Sequence, residues 1–284
     1  MLLTLCASSI KPLIHTKRGG MHILDVPAFA RDTLGLHGLN LSTDLLKGST
    51  RADLESLRDR SDKAACSCLL LSEPDPLPLA DPKPGKAATG VERAVRVLRA
   101  AHVLGCNSAS IAILAPDTDE RFDLACARLR EVVEVAERLE INLLISPAQG
   151  LTESPDRVTD LIKRVGGFRI GTLPDFAAAA ESEDPVTYLR RITPYAAVVI
   201  ASTKEFGEPE EEASDDKPLS IEDLLDVPVP THVSWDLGPM VEAVVSVGFD
   251  ITLGLNYLGE GDPVMGLISS RDALEVAIED ALDK

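Results

Sequence analysis

Short unbroken apolar runs alternate along this chain with longer stretches in which apolar residues recur every three or four positions. The pattern is clearest between Ile141 and Asp175. Ile141–Ile145 is a run of the kind buried on both faces of a parallel sheet. Thr152-Glu153-Ser154-Pro155 supplies an N-cap and an early proline, and Val158, Leu161, Ile162 and Val165 follow at helical spacing until Gly166-Gly167 stops them. Phe168–Ile170 opens another strand. This is one βαβ unit, and its crossover is right-handed by the usual rule.

The same alternation runs through the rest of the chain. Strands are predicted at Leu2–Ala7, Gly38–Leu41, Ala64–Leu71, Ala109–Leu114, Ala196–Ala201 and Ile251–Leu255, besides the two above. Helices are predicted over Pro27–Leu34, Asp53–Lys63, Gly90–Leu104, Arg121–Glu140, Asp184–Ile192, Leu237–Val247 and Asp272–Leu282, besides the one above. Pro74–Gly85 is too rich in proline for regular structure. Eight strand signals and eight helix signals in 284 residues fit a single α/β domain, a (β/α)8 TIM barrel spanning 1–284. An open doubly wound sheet fits less well, because no glycine-rich dinucleotide turn follows the first strand. One stretch breaks the rhythm. Residues 207–235 form an acidic, proline-punctuated insertion between the seventh strand and its helix, expected as a solvated loop; the sharper alternative is a lid carrying His232 and Trp235.

Composition narrows the function. The formal net charge is −18, which excludes the basic footprint that nucleic acids and anionic membranes require. No apolar run is long enough to span a bilayer, and MLLTLCASSI has no basic lead-in, so a cytoplasmic protein is expected. The cysteines, Cys6, Cys66, Cys68, Cys106 and Cys126, fit no metal motif and read as small buried residues in a reducing compartment. His15, His22, His37 and His102 have no partner at ligand spacing.

In a parallel α/β protein the chemistry sits at the C-terminal ends of the strands. Three groups of residues there carry a resemblance: Ile23–Ala30 with Gly35–Leu41, Leu151-Thr152-Glu153 with Ile170–Asp175, and Asn256–Pro263. In order and spacing the chain resembles the xylose-isomerase-like barrels, the sugar phosphate isomerase/epimerase group that also includes endonuclease IV. The resemblance implies one divalent metal at the barrel mouth, held by a Glu, an Asp, a His and a Glu ending the fifth to eighth strands. The metal polarises the sugar oxygens as a Lewis acid while carboxylates move the proton.

Set against that pattern, only the sixth-strand acid, Asp175, is kept. Ser146, Ile200 (with Ser202 nearby) and Asn256 stand at the other three positions, and Asn40 stands where the family carries an acid after the second strand. Neutral oxygens and an isoleucine make a poor site for Mg²⁺ or Mn²⁺. The expectation is therefore a barrel that has lost the family metal and catalysis, with no cofactor. It would bind a carbohydrate-like ligand or a protein partner, with Asn40, Ser146, Gln149, Asp175, Ser202, Asn256 and Asp262 as the ligand-binding candidates. The alternative is a working sugar isomerase or epimerase with a relocated metal or acid/base site, its catalytic candidates being Asp175, Glu205 and Glu260. Phosphodiester hydrolysis of the endonuclease kind is disfavoured by the acidic charge. Ligand identity and oligomeric state stay open, and Asp175 has a competing role as a helix cap.

Overall fold

A computed structural model describes residues 1–14, 20–207 and 230–283. His15 and most of the acidic insertion, 208–229, lie outside the described residues. The strands are β1 (Leu2–Cys6), β2 (Gly38–Ser42), β3 (Ser67–Ser72), β4 (Ser108–Ala112), β5 (Asn142–Ser146), β6 (Ile170–Thr172), β7 (Val199–Thr203) and β8 (Thr252–Tyr257). The helices are α1 (Val26–Asp32), α2 (Arg51–Lys63), α3 (Pro84–Leu104), α4 (Asp119–Leu139), α5 (Pro155–Val165), α6 (Phe176–Ala180), α7 (Pro185–Ile192), α8 (Leu237–Val245) and α9 (Pro263–Leu282). All ladders are parallel, in the order β6-β5-β4-β3-β2-β1-β8-β7. The ring closes between β6 and β7 without a ladder, through isolated bridges from Thr172 to Ala196 and from Asp175 to Ile200. The result is a (β/α)8 barrel.

Alternation along each strand sorts the side chains into two cores. Leu5, Leu39, Leu71, Ile111, Leu143, Val199 and Leu255 face outward and join the helices in the main apolar cluster. Cys6, Leu70, Leu144, Leu173, Val198 and Ile200 form a small separate cluster inside the barrel. That cluster is built of Leu, Val, Ile and Cys without an aromatic ring, in keeping with a chain of 4% aromatic residues, and it shares the lumen with Thr4, Asn40 and Gly254.

Boundaries moved where local chemistry overrode the pattern. β3 starts at Ser67 rather than Ala64, because Ala65 adopts φ +52° and the Cys66 amide returns to the Ser61 carbonyl, making a turn. α3 begins at Pro84, inside the stretch expected to be irregular, since proline at the first helical position forfeits no hydrogen bond. α9 begins nine residues before Asp272, at Pro263. Gly266 blurs its periodicity, yet a Cβ there would lie 2.4 Å from the Tyr257 ring, so glycine is what lets helix and strand meet. β6 starts at Ile170, leaving Phe168 99% exposed. Among the described residues no helix is long and apolar enough to cross a membrane.

Candidate functional site

The C-terminal ends of the strands surround a cavity of about 300 Å³. Asn40, Ser146, Asp175, Ile200 and Asn256 all line it, together with Cys6, Ser8, Ser42, Ser72 and Glu73. Register explains the meeting: Cys6 pairs with Asn40 across β1 and β2, and Ser202 with Asn256 across β7 and β8.

The polar groups are wired to one another in two sets. In the first, the Thr4 hydroxyl donates to the Leu253 carbonyl, 3.2 Å away. It is therefore left to accept, and the Asn40 amide nitrogen donates to it at 2.9 Å. That fixes the orientation of the amide. The Asn40 Oδ1 atom is then buried with no hydrogen-bond partner. In the second set, the Asn256 Oδ1 accepts from Ser8 at 3.2 Å and from Ser9 at 3.3 Å, and its amide nitrogen donates to the Ser202 hydroxyl at 3.0 Å. Ser202, fully buried, is left with its own proton for the neighbouring Asp175 carboxyl.

Asp175 serves two purposes. It caps α6, accepting from the Ala177 amide at 2.9 Å, and it lines the cavity. Burial raises its pKa above the usual carboxylate value, and the Ser202 hydroxyl and the Ala177 amide oppose the rise. Cys6 is pushed up to about 12, chiefly by burial, so at neutral pH it is a thiol and no nucleophile.

The other candidates fall elsewhere. Gln149, Glu205, Glu260 and Asp262 do not line the cavity. Asp262 caps α9 by accepting from the Val264 and Met265 amides. His232 is buried with both ring nitrogens engaged: Nε2 accepts from the Lys204 amide at 2.9 Å and Nδ1 donates to the Trp235 carbonyl at 2.7 Å. Burial lowers its pKa. Neither nitrogen is left for a ligand.

Glu73 is the charged residue of the cavity that was not among the candidates read from the sequence. It immediately follows β3, the position where a barrel presents its chemistry, and that was the available signal. It is 3% exposed and paired with Arg93 of α3 at 2.5 Å, and Arg93 also donates to Thr43 at 3.2 Å.

Strand ends that would hold the family's metal thus present a hydroxyl, one carboxyl already bonded to protein donors, an isoleucine and an amide. Among the described residues no group of three or more His, Cys, Asp or Glu side chains is placed to hold a metal ion. The residues present do not fit that group.

No protein-family model and no curated protein matches the chain. Solved structures do. An L-ribulose 3-epimerase superposes with a TM-score of 0.79 at 14% identity, over 100% of this chain and 96% of the other. The fold is that of the xylose-isomerase-like sugar epimerases. The likeness extends to D-psicose 3-epimerase from Clostridium cellulolyticum, determined with D-tagatose, at TM-score 0.70 and 13% identity, over 100% of this barrel and 97% of that one. It extends also to the IolI protein, which carries a bound zinc atom, at TM-score 0.71 and 13% identity, over 99% of each chain. Identities this low establish the shared xylose-isomerase-like architecture and leave the activity to be argued from the site.

Proposed function

We propose that this xylose-isomerase-like barrel binds a small carbohydrate-like molecule in its mouth, without the family metal and without isomerising it. The observation that carries the reading is the buried, unpartnered Oδ1 of Asn40, a residue lining a cavity whose other polar groups are four serines, Asn256 and the Glu73 and Asp175 carboxyls, set among apolar side chains such as Leu70, Leu173 and Ile200. A buried acceptor left unpaired costs about 1–3 kcal/mol, and a ligand hydroxyl is the donor that relieves it. Serine and asparagine side chains supply both halves of the hydrogen bonds a polyol needs, and the cavity has the size of a small ligand site. Charge speaks against a hard cation: a carboxylate attracts one through charge and lone pair together, whereas an amide or hydroxyl offers a dipole.

A second reading, a sugar isomerase or epimerase with relocated acid/base groups, draws support from Glu73 and Asp175 lining one cavity. Two experiments decide. Elemental analysis and titration calorimetry with Mn²⁺ and Mg²⁺ are expected to find no stoichiometric metal. Calorimetry against a panel of ketopentoses and ketohexoses is expected to find a binder that Asn40→Leu weakens about tenfold, the worth of one hydrogen bond of about 1.4 kcal/mol. Micromolar metal binding abolished by Asp175→Ala, or deuterium uptake from D₂O into a bound sugar, would overturn the first reading in favour of the second. Restored metal binding in a Ser146→Glu, Ile200→His, Asn256→Glu triple variant would show that only the ligands are gone.

A further inference from the structure

We propose that a second cavity, on the flank of the barrel between α2 and α3, binds a phosphomonoester carried on a small apolar body. The cavity measures about 330 Å³ and shares no lining residue with the mouth. Leu71 and Val97 contribute to its apolar lining, and both are buried. Lys47, Arg93 and Arg96 also line it, and no Asp or Glu does.

In a chain with a net charge of −18 this groups three cations, of which Arg93 is paired with Glu73 while, among the described residues, Lys47 and Arg96 have no acidic partner. Several other cations are matched, Arg51 with Glu55, Arg157 with Asp117 and Asp119, and Arg191 with Asp156. Among the described residues, Lys47 and Arg96 make no ion pair or hydrogen bond, and Arg93 spends only Nε and Nη2 on Glu73 and Thr43. Its Nη1 donors are uncommitted. A phosphate dianion, with two charges and three acceptor oxygens, matches two unpaired cations and the free Nη1 donors of Arg93 better than a carboxylate does. The rim has room for it: the loop turns at Gly48 in a left-handed conformation, φ +83°, and nothing lies within 4 Å of where a Cβ would sit. The neighbouring Ser49 adds a hydroxyl to the lining. The amino end of α2 is not the attraction, since Asp53 already fills it through a capping box with Thr50.

The test is titration of the full chain with phenyl phosphate, followed by calorimetry and amide chemical shifts. Expected is saturable one-to-one binding that weakens roughly tenfold or more in a Lys47→Ala/Arg96→Ala variant. An Arg51→Ala/Arg60→Ala variant removes the same charge from exposed positions on α2 outside the cavity and should bind within about twofold of the parent. Asn40→Leu, in the mouth, should leave this binding unchanged. Inorganic phosphate should bind more weakly, and phenol alone not at all. Failure to saturate, equal loss in the two double variants, or inorganic phosphate binding as tightly as phenyl phosphate would overturn the proposal. Circular dichroism on each variant checks that the barrel is folded, and all four mutated side chains are exposed, so folding should survive.

Discussion

Replacing Arg93 by methionine removes the only ion-pair partner recorded for Glu73 among the described residues, while keeping most of the packing of the long side chain. The Glu73 side chain is 2% exposed, whereas Arg93 is 39% exposed. The carboxylate would stay buried, keeping only the Asp75 amide at 3.3 Å as a donor. Stranding a charge by breaking a fully buried pair costs about 3–5 kcal/mol; with the arginine partly in water, about 2–3 kcal/mol is the fair figure here. For a chain this long, each kcal/mol moves the midpoint by about 2 °C, so Arg93→Met should melt about 4–6 °C below the parent. Because the charge is the cause, removing it as well should help: Arg93→Met/Glu73→Gln should regain at least about half of the loss. Differential scanning calorimetry on the parent, both single variants and the double variant closes the cycle. A loss below about 1 kcal/mol in Arg93→Met, or strictly additive losses, would show that the pair does not act as argued.

Three further outcomes are expected. Ser202→Ala removes a group that lowers the Asp175 pKa, so that pKa should rise further, readable by ¹³C titration of the carboxyl. In the parent, an Asp175 pKa above its unfolded value means that its protonated form favours the fold; this contribution is complete below about 3.8 and is lost as pH rises through the folded pKa. Asp175→Asn should therefore flatten that part of the stability profile, measured by urea denaturation between about pH 3.5 and 7; an unchanged slope would contradict it. Gly254→Ala would place a Cβ 2.5 Å from the Asn40 amide nitrogen and 3.0 Å from the Cys6 sulfur, overpacking the lumen at a cost of about 1–3 kcal/mol and displacing Asn40; a neutral melt would refute this.

The barrel was legible because hydrophobic periodicity reports burial, and in this fold burial alternates element by element. Ile141–Val165 shows it: a doubly buried strand and a one-sided helix leave different patterns. Strand-end residues were legible for the same reason, since counting strands locates Ser146, Asp175 and Asn256 on one rim. Their hydrogen bonds were not. That Ser202 connects Asn256 to Asp175 depends on the β7–β8 register, with partners 54 residues apart in sequence. Glu73 was missed because its identity as a buried ion pair depends on Arg93, 20 residues away on a helix whose first turns read as loop. Asp262, a ligand-binding candidate in sequence, is a cap because α9 starts earlier than its periodicity suggests.

The seam between β6 and β7 makes the ring mechanically uneven. Every other neighbouring pair of strands is fastened by a parallel ladder, with one register shift between Leu39 and Asn40 where β2 meets β3, whereas here the Ile200 amide bonds to the Pro174 carbonyl at 2.8 Å and the Thr172 hydroxyl reaches the Ile192 carbonyl at 2.7 Å. A hoop with one lightly stitched joint changes girth at the joint. Asp175 and Ile200, bridged across it, both line the mouth. A guest too broad for the cavity would spread the wall on that side, moving the lone carboxyl with it, while the ladder that joins Cys6 to Asn40 on the opposite side kept its span.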